Sequence, residues 1–257
     1  MKNARCVVLR VYLFLYYLLI YAPIAIVFIA SFDSGRDFLL WKGFTWDNYL
    51  GVIQNNYILL ALSKSFRVAL FVSVISVAIG IPAAMAYSRC NFPGRSLFGI
   101  TILIPLIIPE IALGTLWLCL FYSQRIPLGF YTILAAHIMV CTSFVIINGV
   151  ARMKNYNRSI EEAAFDLGAD EATVLKKITL PIIMPAVYSG FLLSFVLSFN
   201  NLVITLFCSG VGSTTLPLKF YSLLKSGNIS EINVIASIML FITLILVILS
   251  EKWARDD

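Results

Sequence analysis

Ser159-Ile160-Glu161-Glu162-Ala163-Ala164-Phe165-Asp166-Leu167-Gly168, followed by Ile178-Thr179-Leu180-Pro181, decides how the rest of this chain is read. It is a charged, helix-forming stretch between two long apolar runs, so it belongs outside lipid. Ser159 with Glu162 three residues on has the pattern of a capping box and predicts a helix starting at Ser159. Ala163 and Ala164 favour that helix and permit close approach. Gly168 fits its stop, where a positive φ costs glycine least. Asp170 then predicts the cap of a second short helix over 171–179, with Val174, Leu175 and Ile178 on one face and Pro181 ending it. The expected result is a knob of helix, glycine turn and helix. By helix signals alone it is either a docking element or a hairpin that merely connects two spans.

Composition settles the class. The chain has 257 residues, of which 60% are hydrophobic and only 12% charged. A soluble domain needs more polar surface than this to cover its core, so the chain reads as an integral membrane protein. The net charge of +6 does not signal nucleic-acid binding, because the basic residues flank apolar runs instead of forming a patch. The five cysteines, Cys6, Cys90, Cys119, Cys141 and Cys208, lack metal-ligand spacing and read as small hydrophobes.

Six apolar runs are long enough to cross a bilayer as helices: 11–30, 66–86, 97–122, 131–150, 185–208 and 234–250. The first is too long for the apolar region of a signal peptide and is expected to be retained as a span. With the N-terminus inside, the inner segments hold Lys2, Arg5, Arg10, Arg89, Arg95, Arg152, Lys154, Arg158, Lys176, Lys177, Lys252 and Arg255. The outer ones hold Arg36, Lys42, Lys64, Arg125, Lys219 and Lys225, with Arg67 at a boundary. The inner density is about double, so both termini and the loop 151–184 are expected to be cytoplasmic. The fold class is therefore all-α integral membrane, a single domain over 1–257 with six transmembrane helices and a cytoplasmic two-helix loop between spans four and five. The aromatics of the 31–65 segment, Trp41, Phe44, Trp46, Tyr49 and Tyr57, read as interface anchors.

Read as E-A-A-x3-G-x9-I-x-L-P, the opening stretch resembles the docking loop of the permease subunits of binding-protein-dependent, ATP-driven (ABC) importers. Glu162, Ala163, Ala164, Gly168, Ile178, Leu180 and Pro181 stand where that signature places them. Tyr87-Ser88-Arg89-Cys90-Asn91-Phe92-Pro93-Gly94-Arg95, Leu216 to Ser222 and Glu231 to Ala236 are similar to segments of polyamine-type permeases, the C subunit of spermidine/putrescine importers. The resemblance implies a permease of a bacterial inner membrane, pairing with a second, homologous permease. It also implies two ATPase subunits on the loop and an external solute-binding protein. Glu161 and Glu162 would then make polar contacts with the ATPase, Gly168 would act as the pivot, and Val174, Leu175 and Ile178 would form the apolar seat, with Ala163 and Ala164 at close approach. A rigid two-helix unit set in a cleft moves as one body when the cleft closes.

The chain carries no engine of its own. No G-x-x-x-x-G-K-[ST] is present to cradle ATP phosphates, so ATP and magnesium are expected on a separate subunit and no cofactor on this one. A single histidine, His137, excludes a two-histidine metal site, and no G-x-S-x-G turn appears. His137 reads as an interfacial residue near the outer end of span four, with a proton relay as the alternative.

Polar groups at membrane depth are candidates for a solute path. Glu110 follows Pro105 and Pro109 in the third run, and interrupted helices line solute paths. It either faces a cavity and attracts an amine or bonds a neighbouring helix. Asn200 and Asn201 in the fifth run either line the cavity or tie helices together. Polyamine permeases tend to be acidic there, so a cation would rely on Glu110, on Trp117 and Tyr122 through cation–π contact, or on the partner permease. A self-powered secondary carrier would need internal symmetry and a coupling-ion site, and neither is evident in the sequence. A polytopic membrane enzyme would show activity alone.

Overall fold

The computed structural model describes residues 2–35, 41–154 and 156–255; side chains are described from Leu9 to Lys252 within these limits. Arg36 lies outside the described residues, as do the side chains of Lys2, Arg5, Cys6 and Arg255, so these parts of the charge and cysteine reading have no structural counterpart. Among the described residues the only β pairing is an isolated bridge between Asp33 and Phe44, and all other regular structure is helical. In chain order the α-helices are α1 (Lys2–Ala30), α2 (Asp47–Gln54), α3 (Asn56–Arg89), α4 (Arg95–Ile107), α5 (Glu110–Ser123) and α6 (Phe130–Lys154). They continue as α7 (Ser159–Asp166), α8 (Glu171–Val174), α9 (Leu180–Phe199), α10 (Val203–Cys208), α11 (Leu216–Ser226) and α12 (Ile229–Arg255). Among the described residues five helical stretches, one of them running from Glu171 to Phe199, are long and apolar enough to cross a membrane, and α4 with α5 forms a sixth if that bent pair is one span.

The helix limits depart from the apolar runs: α1 and α12 extend beyond the runs 11–30 and 234–250, and three others differ as follows. The run expected to begin at Phe66 belongs to α3, which starts ten residues earlier at Asn56. The 97–122 run is not one helix: α4 and α5 meet at a 105° bend. Pro109 has no N–H to donate and pushes Ile108 to extended backbone (φ −69°, ψ 131°), which ends α4. The 185–208 run is displaced. Helix continues from Glu171 to Phe199, breaks at 200–202, and resumes as the short α10. Pro181 therefore does not end the second knob helix. A π-helical turn at Leu175–Thr179 precedes it, and the wider turn accepts the ring that an α-helical turn would crowd.

The expected single domain groups into two compact units, residues 1–60 with 219–242 and residues 61–218 with 243–257. In the first unit no residue of α1 from Leu9 to Ala30 is buried. Phe32 stacks on Phe44 and Tyr49 at 5.4 and 4.8 Å between ring centres and meets Trp46 edge-on at 5.0 Å. Phe32, Phe44, Trp46 and Tyr49 thus pack on one another, while Trp41 and Tyr57 are exposed.

The second unit holds two large buried clusters. α6 packs along α9 and α4, and α5 packs against α10. Val68 and Val72 of α3, Phe121 of α5, Ile133, Ala136 and Cys141 of α6, and Ile204 and Cys208 of α10 form one buried cluster. Ile81, Val145, Met153 and Ile183 form another closer to the knob. Cys141 and Cys208 thus behave as buried hydrophobes, whereas Cys90 and Cys119 are exposed.

Candidate functional site

α7 begins at Ser159, but not through a capping box. The Asn157 carboxamide oxygen accepts from the Ser159 N–H at 3.1 Å and the Ser159 hydroxyl at 2.9 Å. The helix stop follows the expectation. Gly168 has φ +86°, its N–H donates to Phe165 O, and Ala169 N–H donates to Ala164 O. Those two bonds define a Schellman motif and satisfy carbonyls the helix end would otherwise leave open. Asp170 stands in extended backbone at the position before α8 without a side-chain capping bond to it, and the Thr173 hydroxyl holds its carboxyl below the usual range.

Glu161 is where the knob differs most from its sequence reading. It was expected to reach outward and is instead buried. Three donors converge on its Oε1: Arg89 Nη2 at 2.6 Å, Tyr156 OH at 2.8 Å, and the Thr179 hydroxyl. The Arg89 guanidinium also lies 5.6 Å over the Tyr156 ring. Burial works to raise the Glu161 carboxyl, but the hydrogen bonds from Thr179, Tyr156 and Arg89 together hold it below the ordinary range. Burial and the bond to Glu161 push the Tyr156 phenol up.

With Glu161 turned in, Glu162 and Ala163 remain exposed and Ala164 is half-buried. Val174, Leu175 and Ile178 do not share a face: Val174 is buried in the knob, Ile178 is half-buried, and Leu175 points out. The exposed apolar side chains are Ile160, Phe165, Leu175 and, at the tip, Leu167, which is 89% exposed. Sequence reading passed over Leu167. The available signal was its position between the helix end and a glycine in positive φ, where a side chain projects outward.

The path candidates are dispersed. Glu110 is exposed at the first turn of α5, at the bend, where the helix N-terminus favours a carboxylate. Trp117 is half-buried, stacked on Phe121 at 5.1 Å and packed against the α3–α6 cluster. Tyr122 is exposed about 18 Å along α5 from Glu110 at helical rise. Asn200 makes a tie, its Nδ2 donating to Thr243 Oγ1 at 2.9 Å, whereas Asn201 Oδ1 accepts the Ile204 N–H at 3.0 Å locally, in the first turn of α10. His137 is fully enclosed among the helices. Its ring lies 2.9 Å from Ser198 Oγ and 3.1 Å from Thr205 Oγ1, bridging α9 and α10 across their break.

Spanning helices, a bent third element and a charged helix–glycine–helix knob define a transporter's membrane component. The family of binding-protein-dependent transport system inner membrane components matches residues 76–255, and the chain belongs to it. It is the permease of an ABC importer, a multi-pass inner-membrane protein of a family that is not itself catalytic. The chain is 37% identical over 246 residues to the spermidine/putrescine transport system permease protein PotC of Haemophilus influenzae, covering 96% of each. It is 36% identical over 237 residues to the putrescine transport system permease protein PotI of Escherichia coli, covering 90% of this chain and 84% of that one. The fold is shared with a bacterial alginate ABC transporter solved in complex with an alginate pentasaccharide-bound periplasmic protein. The TM-score is 0.75 at 13% identity, covering 99% of this chain and 96% of that one.

Proposed function

We propose that this chain is the membrane component of a polyamine importer carrying spermidine or putrescine. It pairs with a second, homologous permease. An external binding protein delivers the solute, and two ATPase subunits supply ATP hydrolysis with magnesium, so this chain needs no cofactor of its own. In this reading both termini and the knob lie in the cytoplasm. ATP binding closes the ATPase pair, the seated knobs are drawn together, and the spans reorient outward; hydrolysis resets them.

The observation that carries the docking role is the knob's surface. Its buried acid is occupied internally, while Ile160, Phe165, Leu167 and Leu175 stand exposed beside Glu162. An apolar surface with a polar rim, outside the spanning helices, is suited to a protein partner. The polyamine assignment is supported by the names of the relatives and by Glu110, an exposed carboxylate at the broken third element. A protonated amine is the solute such a group favours.

The test is uptake of labelled spermidine into proteoliposomes holding the whole complex. Transport should require ATP and the binding protein; transport driven by an ion gradient without ATP would instead identify a secondary carrier. In the same assay Glu110→Gln removes the charge at constant shape and should raise KM for the polyamine about ten-fold, the size of one charged hydrogen bond. An unchanged KM would take Glu110 off the path.

A further inference from the structure

We propose that Glu161 is a positioning residue, the link through which movement of the knob reaches α3. This rests on the reading that the knob docks an ATPase. The link is built on one atom: Oε1 of Glu161, in α7, receives Arg89 from the last turn of α3, Tyr156 from the α6–α7 connection, and Thr179 from the π-helical turn leading into α9. Four elements therefore meet at one buried carboxylate. Arg158 Nη2 adds a contact to Ser88 O at 3.3 Å, so the end of α3 is held from both sides of the α7 start.

A tether of this kind suits transmission better than docking. Three donors already converge on Oε1 of this buried carboxylate, so its interactions along the chain are internal ones. Charge-assisted bonds resist stretching more than neutral ones, and a charge pair shielded from water is weakly screened. α3 in turn carries Val68, Val72 and Ile81 into both core clusters, so a displacement at Arg89 is felt among the spanning helices. The π-helical turn gives the pull a second outlet into α9, because Thr179 lies at its end. Removing the charge should leave the knob seated but its motion poorly passed on.

The experiment measures polyamine imported per ATP hydrolysed by the purified whole complex in proteoliposomes. At equal recovery of all subunits, Glu161→Gln should lower that ratio about ten-fold, within the range by which residues along a coupled network alter coupling. Arg89→Ala should do the same, the double variant should be no worse than either single one, and Arg89→Lys should recover most of the ratio. A wild-type ratio in Glu161→Gln, or losses that multiply in the double variant, would overturn the proposal. Should Glu161→Gln fail to assemble, Thr179→Val decides: it removes one donor at constant size, and only a reduced ratio supports the link. Failure of the underlying reading looks different, since the wild-type complex itself would then show no ATP-driven uptake.

Discussion

Replacing Leu167 with arginine is expected to weaken attachment of the ATPase about 30-fold or more while leaving the membrane-embedded helices intact. The expectation follows from exposure. Leu167 is 89% exposed at the end of α7, and its backbone N–H is already satisfied by Ala163 O. Nothing inside the chain depends on the side chain, so stability should change by no more than about 0.5 kcal/mol, the usual scale for surface substitutions. An ATPase docked on the knob as proposed would, in contrast, have to bury a charge in place of an apolar side chain. Pull-down of the ATPase subunits and a melting curve of the solubilised chain separate the two effects. Retained attachment with normal melting would remove the tip of the knob from the interface. Gly168→Asp adds a charge beside the same tip and should act in the same direction.

Gly210→Ala should do the reverse and damage the fold itself. A methyl group there would sit 1.9 Å from Leu128 O and 2.5 Å from its carbonyl carbon. These are backbone atoms, which cannot step aside as a side-chain end can. Two turns are held together at this point. Thr132 Oγ1 donates to Cys208 O at 2.7 Å and accepts Gly129 N–H at 2.8 Å, while the Ser213 hydroxyl closes the second turn on Gly210. Separating them strains the α5–α6 connection and the end of α10 together. A loss of about 3 kcal/mol is expected, the upper part of the overpacking range, seen as lower yield and melting temperature. Gly129→Ala is the control, since nothing lies within 4 Å of its added carbon. Equal behaviour of the two variants would show that these turns separate freely.

The features legible in the sequence were those set by local backbone rules. Gly168 announced its positive φ because a helix followed by glycine has few other endings. The apolar runs announced spanning helices because lipid leaves no other open-ended choice. Glu161 was illegible because Arg89 is 72 residues away and Thr179 is 18 away, so only the folded chain brings the donors to the acid. The rule that proline ends a helix failed at Pro181, where a π-helical turn relieved the clash, yet the same chemistry succeeded at Pro109. Asn200 and Asn201 looked like polar groups at mid-span because the run appeared continuous. At the break over 200–202 Asn200 ties to Thr243 and Asn201 accepts the Ile204 N–H locally, and His137 spans that break.

The reading as a whole depends on the knob being the place where a separate motor grips this bundle. The direct measurement puts a photo-activatable amino acid at Leu167 in the intact membrane and identifies what it captures on illumination. The account predicts covalent capture of an ATPase subunit from the cytoplasmic side. Capture of a protein from the opposite side of the membrane, or of lipid alone in an actively importing complex, would contradict it.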